Sequence, residues 1–167
     1  MEAMRALTVL SLSLVLSACS AGRIDRGIFY SAKGYQVSLP TQGWAVKPGS
    51  AADLELQRDE PAGGMLADAT CDDKTVGRPL DILARHLTFG LKDRVAEDGG
   101  AMTVGGWPAQ RAVVHGRLDG AAVGVEAVVV KGDRCVYDFL YVAPDAAFEA
   151  GRDDFRAFVE SLSGVAR

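Results

Sequence analysis

From residue 28 onward the hydrophobic positions fall into two rhythms. In IFYSAKGYQVSLPTQGWAV, Tyr35, Val37 and Leu39 alternate with polar residues, and Pro40 and Gly43 punctuate the run. This reads as strand, turn, strand, turn, strand. DLELQRD alternates again with Leu54 and Leu56 on one face, EPAGG is a turn, and MLADATC is another short strand before the polar loop DDKTVGR. At Pro79 the period changes. Leu80, Leu83, Ala84, Leu87 and Leu91 recur at helical spacing, with proline in the favoured first turn. Ile82, His86 and Phe89 fall on the far side of that helix, a more apolar back than solvent requires. A loop or a partner should cover it. AEDGGAM reads as a loop. A meander follows, WPAQRAVVHGRL, AAVGVEAVVVK and RCVYDFLYV, joined by hairpin signals at Asp119-Gly120 and Gly132-Asp133. A last helix begins near Pro144, with Phe148, Gly151, Phe155, Phe158, Val159 and Leu162 on one face and Gly151 as a possible break.

Strands, a helix, strands and a helix in that order predict an α+β domain, an antiparallel β-sheet packed by helices. Two-residue loops would pair Leu118 with Ala121 and Lys131 with Arg134. One face then carries Ala112, Val114, Leu118, Val123, Val125, Ala127, Val129, Val136, Leu140 and Val142, and should meet the helices. Asp138 is the lone charge on it and needs a partner if buried. The other face carries Arg111, His115, Arg117, Glu126, Val128, Cys135, Tyr137, Phe139 and Tyr141. Glu126 lies opposite Val113 and diagonal to Arg111 and His115, within reach of long side chains. Mixed aromatic and polar character suits a shallow groove. Arg111, His115, Glu126, Tyr137, Phe139 and Tyr141 are therefore the candidate binding residues. The competing reading is a structural Arg111–Glu126 ion pair on a half-covered sheet.

The 167 residues favour one domain, and 49% hydrophobic content supports a real core. A net charge of −4 argues against non-specific nucleic-acid binding. The N-terminus differs in kind from the rest. Arg5 precedes an apolar run, Ala6 to Leu16, that as a helix spans roughly 16 Å, about half a bilayer core. This fits a signal segment rather than a membrane span. LSAC, Leu16 to Cys19, resembles the lipobox of bacterial lipoproteins. The resemblance implies cleavage after residue 18 and a covalent lipid on Cys19, with membrane attachment through the acyl chains. The other possibility is ordinary cleavage, with Cys19 left as a thiol. Ser20 in place of aspartate implies the outer membrane if the source is Gram-negative. Residues 19–27 read as a short tether, 28–163 as the domain and 164–167 as a tail. With Cys19 lipidated, Cys71 and Cys135 are an even remainder, which suggests one disulfide in an exported protein. Two separate buried thiols are the alternative.

No catalytic motif stands out. His86 and His115 lie on separate elements, and no G-x-S-x-G elbow is present. Ser or Asp converging on His115 would point to a hydrolase. Asp72-Asp73 lacks a calcium-loop pattern, and the Gly-Gly pairs at 63–64, 99–100 and 105–106 lack a phosphate-loop pattern. No metal or cofactor other than the lipid is expected. FYSAKGYQVSLPTQGWAV, through Phe29, Tyr30, Gly34, Tyr35, Leu39, Pro40, Gly43 and Trp44, resembles the opening of PsbP/Mog-like domains, and the element order and the closing FVESL fit as well. The resemblance spans roughly residues 28 to 163. It implies an α+β fold that serves as a binding or stabilising module, and does not by itself fix a function. The chain is also similar to small bacterial envelope lipoproteins. The expectation is a lipid-anchored, periplasm-facing, non-catalytic module for an envelope protein or component. The alternative is a carrier of a small or lipidic ligand, which would need an enclosed cavity of several hundred Å³ behind the aromatic row.

Overall fold

The structure, a computed structural model, describes residues 22–164. Cys19, Ser20 and the signal segment lie outside the described residues. The chain forms eleven strands and three α-helices among those residues. The first strands are β1 (Gly22–Asp25), β2 (Ile28–Ser31), β3 (Tyr35–Ser38), β4 (Ala45–Val46), β5 (Leu54–Arg58) and β6 (Gly63–Thr70). Two helices follow, α1 (Asp73–Val76) and α2 (Leu80–His86). The long meander is β7 (Lys92–Val104), β8 (Trp107–Leu118), β9 (Ala121–Lys131) and β10 (Val136–Pro144). A 3-10 segment, Asp145–Gly151, leads into α3 (Arg152–Glu160), and β11 (Ser163–Gly164) closes the chain. A seven-stranded antiparallel sheet runs β4-β5-β6-β10-β9-β8-β7, and a four-stranded sheet runs β1-β2-β3-β11. The expected α+β class, an antiparallel sheet with helices, is what forms.

The main core lies between the two sheets and under α3. Phe29, Tyr35 and Val37 of the small sheet meet Tyr137, Phe139 and Tyr141 of β10, with Phe155, Phe158 and Val159 of α3. Phe139 stands edge-on to Phe158, and Tyr141 stacks on Phe148 and Phe155. The opposite face of the large sheet carries smaller side chains. There Leu83 and Ala84 of α2 pack with Val129 and Val136. Leu91, Val114, Val123 and Val125 form a separate cluster beside half-exposed Leu140 and Val142.

Five sequence expectations are corrected here. The two faces of the meander were expected with the helices on the aliphatic side. Instead α3 and the small sheet take the aromatic side, and only α2 takes the aliphatic one. Lys131 pairs with Val136 rather than Arg134, because the turn holds four residues, closed by Gly132 N–H donating to Cys135 O. The slip is two residues, so every side chain keeps its face. AEDGGAM is not a loop but the middle of β7, an edge strand whose bulges and charges mask its alternation. Part of the expected tether is strand: Gly22–Asp25 pairs with β2. Gly164, placed in the tail, pairs with Tyr35. The Asp119-Gly120 hairpin forms as read, with both residues at positive φ.

Cys71 and Cys135 are joined in a disulfide, with S–S 2.06 Å. It links the end of β6 to the start of β10. A closed loop of 64 residues stabilises by about 4 kcal/mol on the chain-entropy account. Asp72, read as part of a polar loop, caps α1 through a bond from Thr75 N–H.

Candidate functional site

Three of the six candidate residues meet in one ionic cluster. Arg111 of β8 and Glu126 of β9 are diagonal neighbours, as the register requires. Arg111 Nε donates to Glu126 Oε1 at 2.5 Å, and Arg152 Nε at the start of α3 donates to Glu126 Oε2 at 3.1 Å. A buried carboxylate is thus held between two guanidinium groups, which offsets the cost of its desolvation. Outward from it, Arg111 Nη1 donates to Asp98 and Arg152 Nη1 to Glu149. His115 sits at the rim. Its Nδ1 faces Asp145 at 2.5 Å and its Nε2 faces Glu97 at 2.6 Å. The Asp145 bond, with Glu97 behind it, raises the imidazole pKa above its ordinary value, against a smaller desolvation effect. Two facing carboxylates call for the doubly protonated ring.

The other three candidates are elsewhere. Tyr137, Phe139 and Tyr141 are 7%, 0% and 0% exposed. They form core rather than a groove surface, because the face they line is the one that α3 and the small sheet cover. Tyr141 Oη donates to Phe148 O inside that core. The space behind the row is filled. A cavity of about 80 Å³ under α3 has room for two or three waters. The larger hollows are open troughs. One of about 500 Å³ lies beside the disulfide, lined by Lys33, Trp107, Arg134 and Tyr137 among others. Trp107 stacks on Tyr137 at its wall.

Sequence reading missed several partners. Arg58 is buried, donates to Pro61 O and Ala150 O, and pairs with Asp154 at 2.9 Å. Lys33 bridges Asp53 at 2.8 Å and Asp68 at 2.9 Å. Arg152, Glu97 and Asp145 complete the Arg111 cluster. All join elements far apart in sequence, and a lone charge in a polar stretch carries no local signal of its partner.

No family model and no curated protein matches the chain. Solved structures do. A Bacteroides thetaiotaomicron protein superposes with TM-score 0.60 at 10% identity, over 84% of this chain and 49% of that one. The chain thus spans about half of that protein's length. A cyanobacterial PsbP, CyanoP from Synechocystis, superposes with TM-score 0.58 at 12% identity, over 93% of this chain and 98% of its own. The fold is PsbP-like. LpqN of Mycobacterium tuberculosis, described as involved in cell envelope biogenesis, gives TM-score 0.56 at 17% identity over 80% and 86% of the two chains. Identities this low carry the fold and nothing further.

The residues of the PsbP-like opening are packing residues. Tyr35 is fully buried and donates through Oη to Asp53 at 3.0 Å. Trp44 Nε1 donates to Asp154 at 3.0 Å, and the Arg58 guanidinium lies 4.5 Å over its ring. These residues fasten the opening to β5 and α3. They are a packing signature, which is why they report fold and not function.

Proposed function

We propose that this chain is a lipid-anchored lipoprotein of the cell envelope that acts as a non-catalytic binding or adaptor module for an envelope protein. The observation that carries the reading is where apolar surface is left over. The aromatic row is packed shut, while Phe89, Val95 and Leu118 are 61%, 65% and 40% exposed. They lie at one end of the molecule. Lys92 pairs with Arg117 and Val95 with His115, so the start of β7 runs beside the end of β8, and Phe89 lies three residues upstream. Val95 shares the face of His115 and Leu118 takes the opposite one, so apolar side chains flank both faces of this end, an arrangement that suits a partner clasping it. A ligand carrier would need an enclosed cavity where the structure has packed rings.

The non-catalytic reading draws on His115. Asp145 supplies the acidic neighbour that a hydrolase would want. The second ring nitrogen faces Glu97 rather than a hydroxyl, which favours a structural role for the imidazole. The anchor draws on the LSAC motif and on LpqN, whose description names the cell envelope. Among the described residues no helix is long and apolar enough to cross a membrane. Acyl chains on Cys19 would be three residues from β1, at most about 11 Å of extended chain. In a Gram-negative cell, Ser20 would direct the protein to the outer membrane, facing the periplasm.

Crosslinking in intact cells with mass spectrometry tests both parts. A wild-type chain crosslinks to a defined envelope protein, and a Phe89→Glu, Val95→Glu variant of unchanged thermal stability loses that crosslink. Retention of every crosslink by the variant overturns the docking end. Absence of acyl mass on the Cys19 peptide overturns the anchor.

A further inference from the structure

Beside the Arg111 cluster, an open groove runs between β7 and α3. It holds about 490 Å³ and is lined by Asp98, Gly99, Gly100, Arg111, Arg152 and Arg156. Three guanidinium groups border one hollow in a chain whose net charge is −4.

Their donors are not used up. Arg111 spends Nε on Glu126 and Nη1 on Asp98. Arg152 spends Nε on Glu126 and Nη1 on Glu149 and Glu97. Arg156 spends Nη1 on Asp153. Among the described residues, the Nη2 of each makes no hydrogen bond. Among the described residues no side-chain nitrogen is both buried and unpaired, so the Nη2 groups of the half-buried Arg111 and Arg152 reach solvent. Glu126, only 8% exposed, holds both of these arginines from behind. Their forks are therefore oriented before any ligand arrives, which lowers the entropic cost of binding.

The carboxylates that compete are mostly at the rim. Asp98 is 61% exposed, Glu149 76% and Asp153 94%, and Glu97 is 42% exposed. Exposed pairs of this kind are weak, so an incoming oxyanion can displace them. At depth Glu126 faces two guanidinium groups, those of Arg111 and Arg152, while Arg156 stands exposed at the rim. Gly100 pairs with Arg111, and a Cβ placed on it meets nothing within 4 Å, so the absent side chain leaves the groove open directly opposite that arginine. The groove adjoins the 80 Å³ cavity under α3. Arg111, Arg156 and Met102 line both hollows, and Val128, Phe155 and Val159 line the inner one together with Glu126, which the two arginines hold, and Glu160. Its size suits a short branched alkyl group.

We infer that the groove between β7 and α3 is a binding site for a small organic oxyanion, its carboxylate or phosphate on the Nη2 groups of Arg111, Arg152 and Arg156 and a short apolar group in the cavity under α3. The site uses none of the docking residues Phe89, Val95 and Leu118, so either can fail alone.

Calorimetric titration of the purified full-length chain in detergent tests the site with four probes: N-acetylvaline, isobutyl phosphate, inorganic phosphate and N-acetylvalinamide. One of the two anions with an alkyl group binds at least about tenfold more tightly than the amide, the difference one charge-assisted hydrogen bond makes. That anion weakens by a similar factor in Arg156→Gln, whose exposed side chain can be changed without disturbing the core. Arg111→Lys, which keeps the charge and loses the fork, also weakens it. Equal binding of the neutral amide, no heat from any anion at millimolar concentration, or unchanged affinity in a folded Arg156→Gln chain overturns the site. Inorganic phosphate binding as tightly as either organic anion overturns the role of the apolar cavity.

Discussion

Phe139 and Leu140 are neighbours on β10 and point to opposite faces of the large sheet. Phe139 is fully buried against Phe158 of α3, while Leu140 is only partly covered. The aromatic side receives a Phe-rich helix and a second sheet. The aliphatic side receives one helix of seven residues that reaches Val129 and Val136. The more uniformly apolar face is therefore the less covered one. Side-chain size decides: Tyr and Phe rings project far enough to interdigitate with α3, whereas a Val and Ala surface offers little relief for a helix to grip.

The sharpest way to break this comparison is truncation at the two adjacent positions. Phe139→Ala removes a ring from the packed core and is expected to cost about 3–5 kcal/mol. Leu140→Ala, at a partly buried position, is expected to cost about 1–2 kcal/mol. Urea unfolding midpoints measure both. Equal losses would mean that the aliphatic face is as closed as the aromatic one in solution.

That asymmetry also marks what the sequence could and could not disclose. The strands other than β1, β7 and β11, the two faces of the meander and the Glu126–Arg111 diagonal follow from period two and a hairpin at Asp119-Gly120, and these stand. A misjudged turn at Gly132 left the faces intact only because the slip was even. Which face each helix would take was not legible, because periodicity records that a face is apolar and not what shape will fit it. The same gap misplaced Tyr137, Phe139 and Tyr141, whose polar neighbours Arg111 and Glu126 made their face look solvated. Arg152, which turns that pair into a three-member cluster, comes from α3, 26 residues beyond Glu126.

Asp138 gives a second, smaller test, on the aliphatic face. It pairs directly with Asp68 across β10 and β6. Burial, and then the Asp68 charge, raise its pKa from 3.8 to about 6. A carboxyl whose folded pKa is raised favours the folded state while protonated. Its contribution is complete below about pH 4 and is lost as pH rises through about 6. Asp138→Asn should therefore stabilise the neutral-pH protein by on the order of 1–3 kcal/mol and flatten the pH dependence between 4 and 6. Unfolding midpoints across that range decide it. A variant no more stable than wild type at pH 7 would show that water reaches Asp138 freely.

His115 provides the smallest effect, on the rim of the aromatic side, where it tells a clasp from a surface histidine. Its imidazolium joins Glu97 of β7 to Asp145 ahead of α3, so one ring spans an edge strand and the helix lead-in. The raised pKa means that this contribution is fully present below about pH 6.5 and fades as pH climbs through the folded value. Once neutral, the ring has one donor for two carboxylates, and the unserved one repels its neighbour. His115→Gln should thus cost about 0.2–1 kcal/mol at pH 6 and less at pH 9, the range expected of a half-exposed ion pair. Hydrogen exchange along β7 should quicken in the variant at pH 6 more than at pH 9. Were exchange in β7 and the midpoint difference both flat with pH, His115 would be a bystander. The ties between β7 and the helical side of the fold would then rest on Arg111 and Arg152, the two residues that hold Glu126.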